Sequence, residues 1–151
     1  VFSLRAQRPL LLTAFVAFDL SVLGAWLTGW LPGRVALVGD WLALTPTLNP
    51  GIAFGLTFAP ALQFVLILVA ASLVLWAAVH TRTWLEQIAF GLILGGAVGN
   101  LLDRALDGYV TDVFQVGTFP IFNVADACIS VGAAILILLH LRGTGGARTH
   151  E

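Results

Sequence analysis

Three aspartates hold most of the chemistry this chain can offer. Asp103 lies in Gly95-Gly96-Ala97-Val98-Gly99-Asn100-Leu101-Leu102-Asp103-Arg104, Asp112 in Tyr109-Val110-Thr111-Asp112-Val113-Phe114, and Asp126 in Phe122-Asn123-Val124-Ala125-Asp126. The first run sets an amide, a carboxylate and a guanidinium on the last turn of an otherwise apolar helix, and Asp126 opens another apolar stretch. Ionisable groups are costly in such places, and function is their default explanation. Asn100 and Asp103 share a helix face at a spacing of three, as do Asn123 and Asp126. If the connection carrying Asp112 folds back over the mouth between the two helices, Asp112 meets Asp126. Two carboxyl groups about 3 Å apart cannot both ionise, so one keeps its proton. The charged member can then take a proton from water while the neutral one hydrogen-bonds a scissile carbonyl, which hydrolyses an amide without metal or covalent intermediate. Asn100, Asn123 and Arg104 are candidate donors to substrate carbonyls or to developing negative charge.

The same residues have structural roles open to them. Asn123 and Asp126 form the pattern of an N-cap followed by an acidic third residue. Asp103 beside Arg104 could be an interfacial ion pair. Asp107 in Leu106-Asp107-Gly108 and Asp40 after Gly39 carry turn signals. Asp19 differs, because it sits near the middle of an apolar span and needs a partner or a neutral state; Arg104, Asn49 and Asn100 are the candidates. Thr83 with Glu86 resembles a capping box, which gives Glu86 a structural role. His80, His140 and His150 form no ligand cluster and HExxH is absent, so neither metal nor cofactor is expected. Cys128 alone makes no disulfide and reads as an inert thiol.

The elements that must position these groups belong to a membrane. Of the 151 residues 59% are hydrophobic and only 10% charged, and mean hydropathy is +0.98. A soluble globule of this length has no interior large enough to hide so much apolar surface. A net charge of −1, no lysine and seven scattered arginines exclude the basic stripe that nucleic acid requires. Four apolar stretches, approximately 10–31, 60–79, 84–102 and 124–141, reach the length of about 20 residues that a bilayer core demands. The first reads as a retained anchor, and residues 1–142 as one membrane-embedded domain followed by a disordered tail over 143–151. Arg5, Arg8, Arg82, Arg142 and Arg148 against Arg34 and Arg104 place both termini in the cytoplasm. The polar groups then collect near the extracytoplasmic face. Val35 to Val38 and Trp41 to Thr45 flank a Gly-Asp turn and predict two short strands, a small surface sheet between the first and second helices. Asn49-Pro50-Gly51 supplies a turn before Ala53-Phe54 and a helix opened by Pro60. Gly95, Gly96 and Gly99 read as close-packing positions of the third helix. The fold class is therefore an all-α membrane protein of four spanning helices with a small extracytoplasmic sheet.

In order and spacing, four segments resemble the prolipoprotein signal peptidases, the type II signal peptidases of bacteria: Asn49 to Gly55, Gly95 to Arg104, Val110-Thr111-Asp112, and Phe119 to Asp126. The resemblance implies an aspartyl endopeptidase of the bacterial cytoplasmic membrane. Such an enzyme cleaves lipoprotein precursors just before a diacylglyceryl-modified cysteine, and the cyclic peptide globomycin is expected to block it. It assigns Asp112 and Asp126 to the catalytic dyad, and Asn49, Gly51, Asn100, Asp103, Arg104, Asn123 and Ala125 to shaping the site and holding peptide, with Asp19 on the acidic position of the first helix. Leu23 departs from the lysine common in the family four residues after that acid, and Val113 from the aromatic that follows the loop aspartate, with Phe114 one place later. The partners implied are the lipid-modified precursor and membrane lipid, and a monomer is the simplest state. From another class, a small proton-coupled transporter also uses intramembrane carboxylates, but it requires acids spread along a path through the bilayer. A catalytically silent relative that binds lipidated peptides is a third reading.

Overall fold

A computed structural model of the chain describes residues 7–51, 59–81 and 83–145, so Ile52 to Phe58, including Ala53, Phe54 and Gly55, lies outside the described residues, as do Arg5, Arg82, Arg148, His150 and the end of the predicted tail. Four helices, α1 (Arg8–Thr28), α2 (Pro60–His80), α3 (Trp84–Asp107) and α4 (Val124–Gly145), are joined by three strands, β1 (Val35–Val38), β2 (Leu42–Asn49) and β3 (Val110–Val116). Each helix contains a span long and apolar enough to cross a membrane. Inside such helices Thr13, Ser21, Thr28 and Ser72 return their hydroxyls to the carbonyl four residues back, which pairs those four hydroxyl protons in lipid. Their outward faces carry exposed leucine, valine and phenylalanine, as a lipid-facing surface must.

At the centre lies α3, the most buried of the four, with α1 and α4 packed closely on it and α2 against another side. Glycine makes the contact close. A Cβ at Gly91, Gly95 or Gly99 would run into Leu10, Thr13, Ala14, Ala17 or Ser21 of α1, and one at Gly96 would sit 2.5 Å from the Ala125 carbonyl of α4. The helix overruns its predicted end at 102 and stops after Asp107, where Gly108 takes a left-handed φ of 82° and returns its N–H to the Arg104 carbonyl. Asn100, Asp103 and Arg104 are therefore on helix with another turn beyond them. At its other end Thr83 caps α3, accepting from the Glu86 amide and donating to the Glu86 carboxylate, which Thr81 also bonds. At its C-terminal end α4 continues to Gly145, past the predicted 141.

The sheet has order β1-β2-β3, all antiparallel. The predicted hairpin forms around Gly39, whose φ of 51° makes the turn, with Arg34 reaching Asp40 at 3.3 Å on the exposed side. A third strand was not foreseen. Residues 110–116, expected as a loop, pair with β2 in the register Thr47↔Asp112 and Leu48↔Thr111, and the irregularity between Leu44 and Thr47 accommodates Pro46. After a turn at Gly117 the chain doubles back: Val113 and Phe114 both donate to the Phe122 carbonyl, and this bridge delivers Asn123 to the start of α4.

The five tryptophans mark two levels. Trp26, Trp30 and Trp41 are exposed at the sheet end, and Trp76 and Trp84 are exposed at the other, the arrangement of interfacial belts.

Candidate active site

Asn100 lies 16 residues along α3 from Trp84, about 24 Å up the helix at 1.5 Å per residue, and so at the level of the sheet. There α3, α4, β3 and the end of β2 converge. Asn49, the last residue of β2, donates from Nδ2 to Asp112 Oδ2 at 2.9 Å. Asn100 Nδ2 donates to Asp126 Oδ1 at 2.8 Å, and Asn123 Nδ2 donates to Asn100 Oδ1 at 2.9 Å. Asp126 N donates to Asn123 Oδ1 at 2.8 Å while Asn123 N reaches Asp126 Oδ2 at 3.4 Å, the reciprocal cap of α4. The cap pattern and membership of the cluster are both true of Asp126.

Asp112 feels the charge of Asp126. Burial pushes the Asp112 carboxyl up to about 6, with the Asp126 charge adding to the rise against the Asn49 hydrogen bond and the pull of Arg104. Asp112 is only 2% exposed, and its Oδ1 has no hydrogen-bond partner among the described residues. The site thus holds a carboxyl that gains a proton easily and a second carboxyl with one donor on each oxygen. Among the described residues there is no cluster of His, Cys, Asp or Glu fit to hold a metal.

Several expected donors turn out to be spent on the frame. Arg104, foreseen as reaching substrate, sends Nη1 to the Asn100 carbonyl at 3.1 Å and Nη2 to the Gly51 carbonyl at 2.5 Å. Its guanidinium is buried; two backbone carbonyls take Nη1 and Nη2, while Nε has no hydrogen-bond partner among the described residues. Likewise the amides of Asn100 and Asn123 hold carboxylate and each other. Asp103 is not tied up with Arg104 in a surface pair; its Oδ2 accepts from Thr111 N at 3.3 Å and so pins β3 to α3 one residue before Asp112. Gly51 N donates to Asn49 Oδ1 at 2.9 Å, which closes the Asn49-Pro50-Gly51 turn. Buried Ala125 packs beneath Gly96, where a larger side chain would part α3 from α4.

Asp19 stays outside the cluster. The Ala14, Ala17 and Ser21 side of α1 is taken by the glycines of α3, so the residue two beyond Ala17, about 200° around the helix, is exposed on the opposite face. Arg104, Asn49 and Asn100 are occupied as described and none of them reaches it. One participant escaped notice in the sequence. Gln63 of α2 is buried and donates from Nε2 to the Pro50 carbonyl at 3.0 Å. The available signal was an amide in a run of apolar residues, which lipid tolerates only with a partner.

Known proteins share the sequence pattern and the fold of this chain. A family model described as signal peptidase (SPase) II matches residues 11–142. The lipoprotein signal peptidase of Chlorobaculum parvum is 39% identical over 129 residues, covering 73% of this chain and 78% of that protein. That of Rhodococcus jostii is 42% identical over 122 residues, covering 74% and 61%. A solved bacterial membrane enzyme superposes with a TM-score of 0.80 at 23% identity over 93% of both chains, which shows the shared fold.

Proposed function

Because the chain belongs to the signal peptidase II family, a family of membrane proteases, we propose that it removes signal peptides from diacylglyceryl-modified prolipoproteins, with Asp112 and Asp126 as its catalytic dyad. One observation carries this reading above the rest. Two carboxyl groups from different elements, β3 and α4, are each held by an asparagine amide at the level of an interfacial tryptophan belt, and the charge of Asp126 acts on Asp112.

The roles follow from the surroundings. Asp112, raised to about 6 and with Oδ1 unoccupied, holds the shared proton. Asp126, held by Asn100 and the Asn123 amide, is the base. Water gives a proton to Asp126 and its oxygen bonds the scissile carbon, while the Asp112 proton passes to the carbonyl oxygen and leaves a neutral gem-diol. Asp126 then protonates the departing nitrogen, a diol hydroxyl returns its proton to Asp112, and the C–N bond breaks. The dyad ends as it began, with one proton. Binding a substrate already held in the bilayer by an apolar segment and acyl chains requires the cut to be made at that depth. The membrane is accordingly the bacterial cytoplasmic membrane, with both termini inside and the site at the outer face; globomycin is expected to compete for it.

The test is cleavage of a lipid-modified precursor by Asp112→Asn and Asp126→Asn, with a non-lipidated precursor as control. Each variant should fold, elute as the parent does, and lose at least about 10³-fold in kcat. Turnover retained in both would remove the assignment. Transport is the alternative function, but the acids of the network lie together at one end of the bundle and trace no path across it.

A further inference from the structure

The turn that presents Asn49 is held from two sides. On one, Arg104 of α3 bonds the Gly51 carbonyl; on the other, Gln63 of α2 bonds the Pro50 carbonyl. These are consecutive peptide groups, and the residue just before them is the one whose amide grips Asp112 at 2.9 Å. Gln63 is buried one turn into a helix whose side chains are mostly exposed, where an amide is expensive to keep. Leucine there would pack and insert better, so the amide needs a reason. We infer that Gln63 is a positioning residue for the reaction: by fixing the Pro50 carbonyl it sets the Asn49-Pro50-Gly51 turn and, through it, the hydrogen bond from Asn49 to Asp112. This rests on the dyad reading of the preceding subsection.

The chemistry of that hydrogen bond makes the role measurable. Asn49 donates to the charged form of Asp112 and opposes the effect of burial and of Asp126. The groups facing Asp112 are Asp126 and Asn123 from α4 and its cap, Arg104 from α3, and Asn49 from β2. The bond from Gln63 to the Pro50 carbonyl gives it a route to the dyad's proton through the turn.

In the detergent-solubilised full chain with a lipid-modified precursor, Gln63→Leu should lower kcat by about tenfold with KM little changed. The alkaline limb of kcat/KM should move up by about 0.5 to 1 in pH, as one lost hydrogen bond to a carboxylate predicts. Asn49→Ala should move the same limb the same way, and Gln63→Leu added to Asn49→Ala should have no further effect, since both act on one contact. Gln63→Asn, which retains the amide but shortens its reach, tests the same point if the leucine variant folds poorly and should show the same limb shift. An unmoved limb in the folded variants, or losses that simply multiply in the double variant, overturns the inference. Those results leave the dyad untouched; full activity in Asp112→Asn and Asp126→Asn is the separate outcome that removes the dyad.

Discussion

At the scale of single residues, the division of labour is between groups that react and groups that hold them. The amides of Asn49, Asn100 and Asn123 and the guanidinium of Arg104 are committed to carboxylates and backbone. Asn100→Ala should cut kcat by about 10²-fold, since it unhooks Asp126 and Asn123 together, and steady-state cleavage would measure it. In the proposed mechanism the proton on Asp112 sets the pH profile. With its carboxyl at about 6, kcat/KM should fall as pH rises through that value, read from initial rates at fixed ionic strength. The same rise has a stability consequence. Folding favours the neutral Asp112, so its contribution is complete below 3.8 and is lost as pH climbs through about 6. Asp112→Asn should therefore be more stable than the parent at pH 8, by about 1 kcal/mol once solvent screening is allowed for, with the gap closing near pH 4 in thermal unfolding. The residue types of this site were legible in the chain, because acids and amides beside apolar helices are rare. Whom each amide holds was not, since that depends on contacts between elements far apart in sequence.

Among the elements, α3 decides the geometry. Its glycines bring α1 and α4 near enough for Asn100 to span the gap to Asp126. Gly96→Ala should cost about 1–3 kcal/mol and lower cleavage, because the new methyl meets the Ala125 carbonyl, a backbone atom that cannot turn aside. Gly24→Ala meets side-chain atoms of Val124, Cγ2 at 2.8 Å and Cβ at 3.4 Å, rather than backbone, and should be milder in the same unfolding and cleavage assays. The hydrophobic spans, the capping box at Thr83 and the β1–β2 hairpin could all be read locally, from length, spacing and a Gly-Asp turn. β3 could not. Its partner Leu42–Asn49 is remote in the chain and irregular at Pro46, so nothing near Asp112 announces a strand. The outward turn of Asp19 was hidden for a similar reason: the glycine row of α3, not α1 itself, chooses which side of α1 is buried.

For the whole molecule, the proposed orientation puts the sheet outside. A cysteine placed at exposed Asp40 should be labelled by a membrane-impermeant maleimide applied to intact spheroplasts, whereas one at Arg142 should react only after permeabilisation. The reverse pattern would invert the topology. The two tryptophan levels turn the protein into a ruler. Under the proposed reading, with Asp112 and Asp126 as the dyad held at the end of the bundle opposite Trp76 and Trp84, a precursor can offer its bond only if its own greasy stretch reaches that height. Trimming one helical turn, about 5.4 Å, from that stretch should sink the bond below the acids, and a thinner host bilayer should restore it.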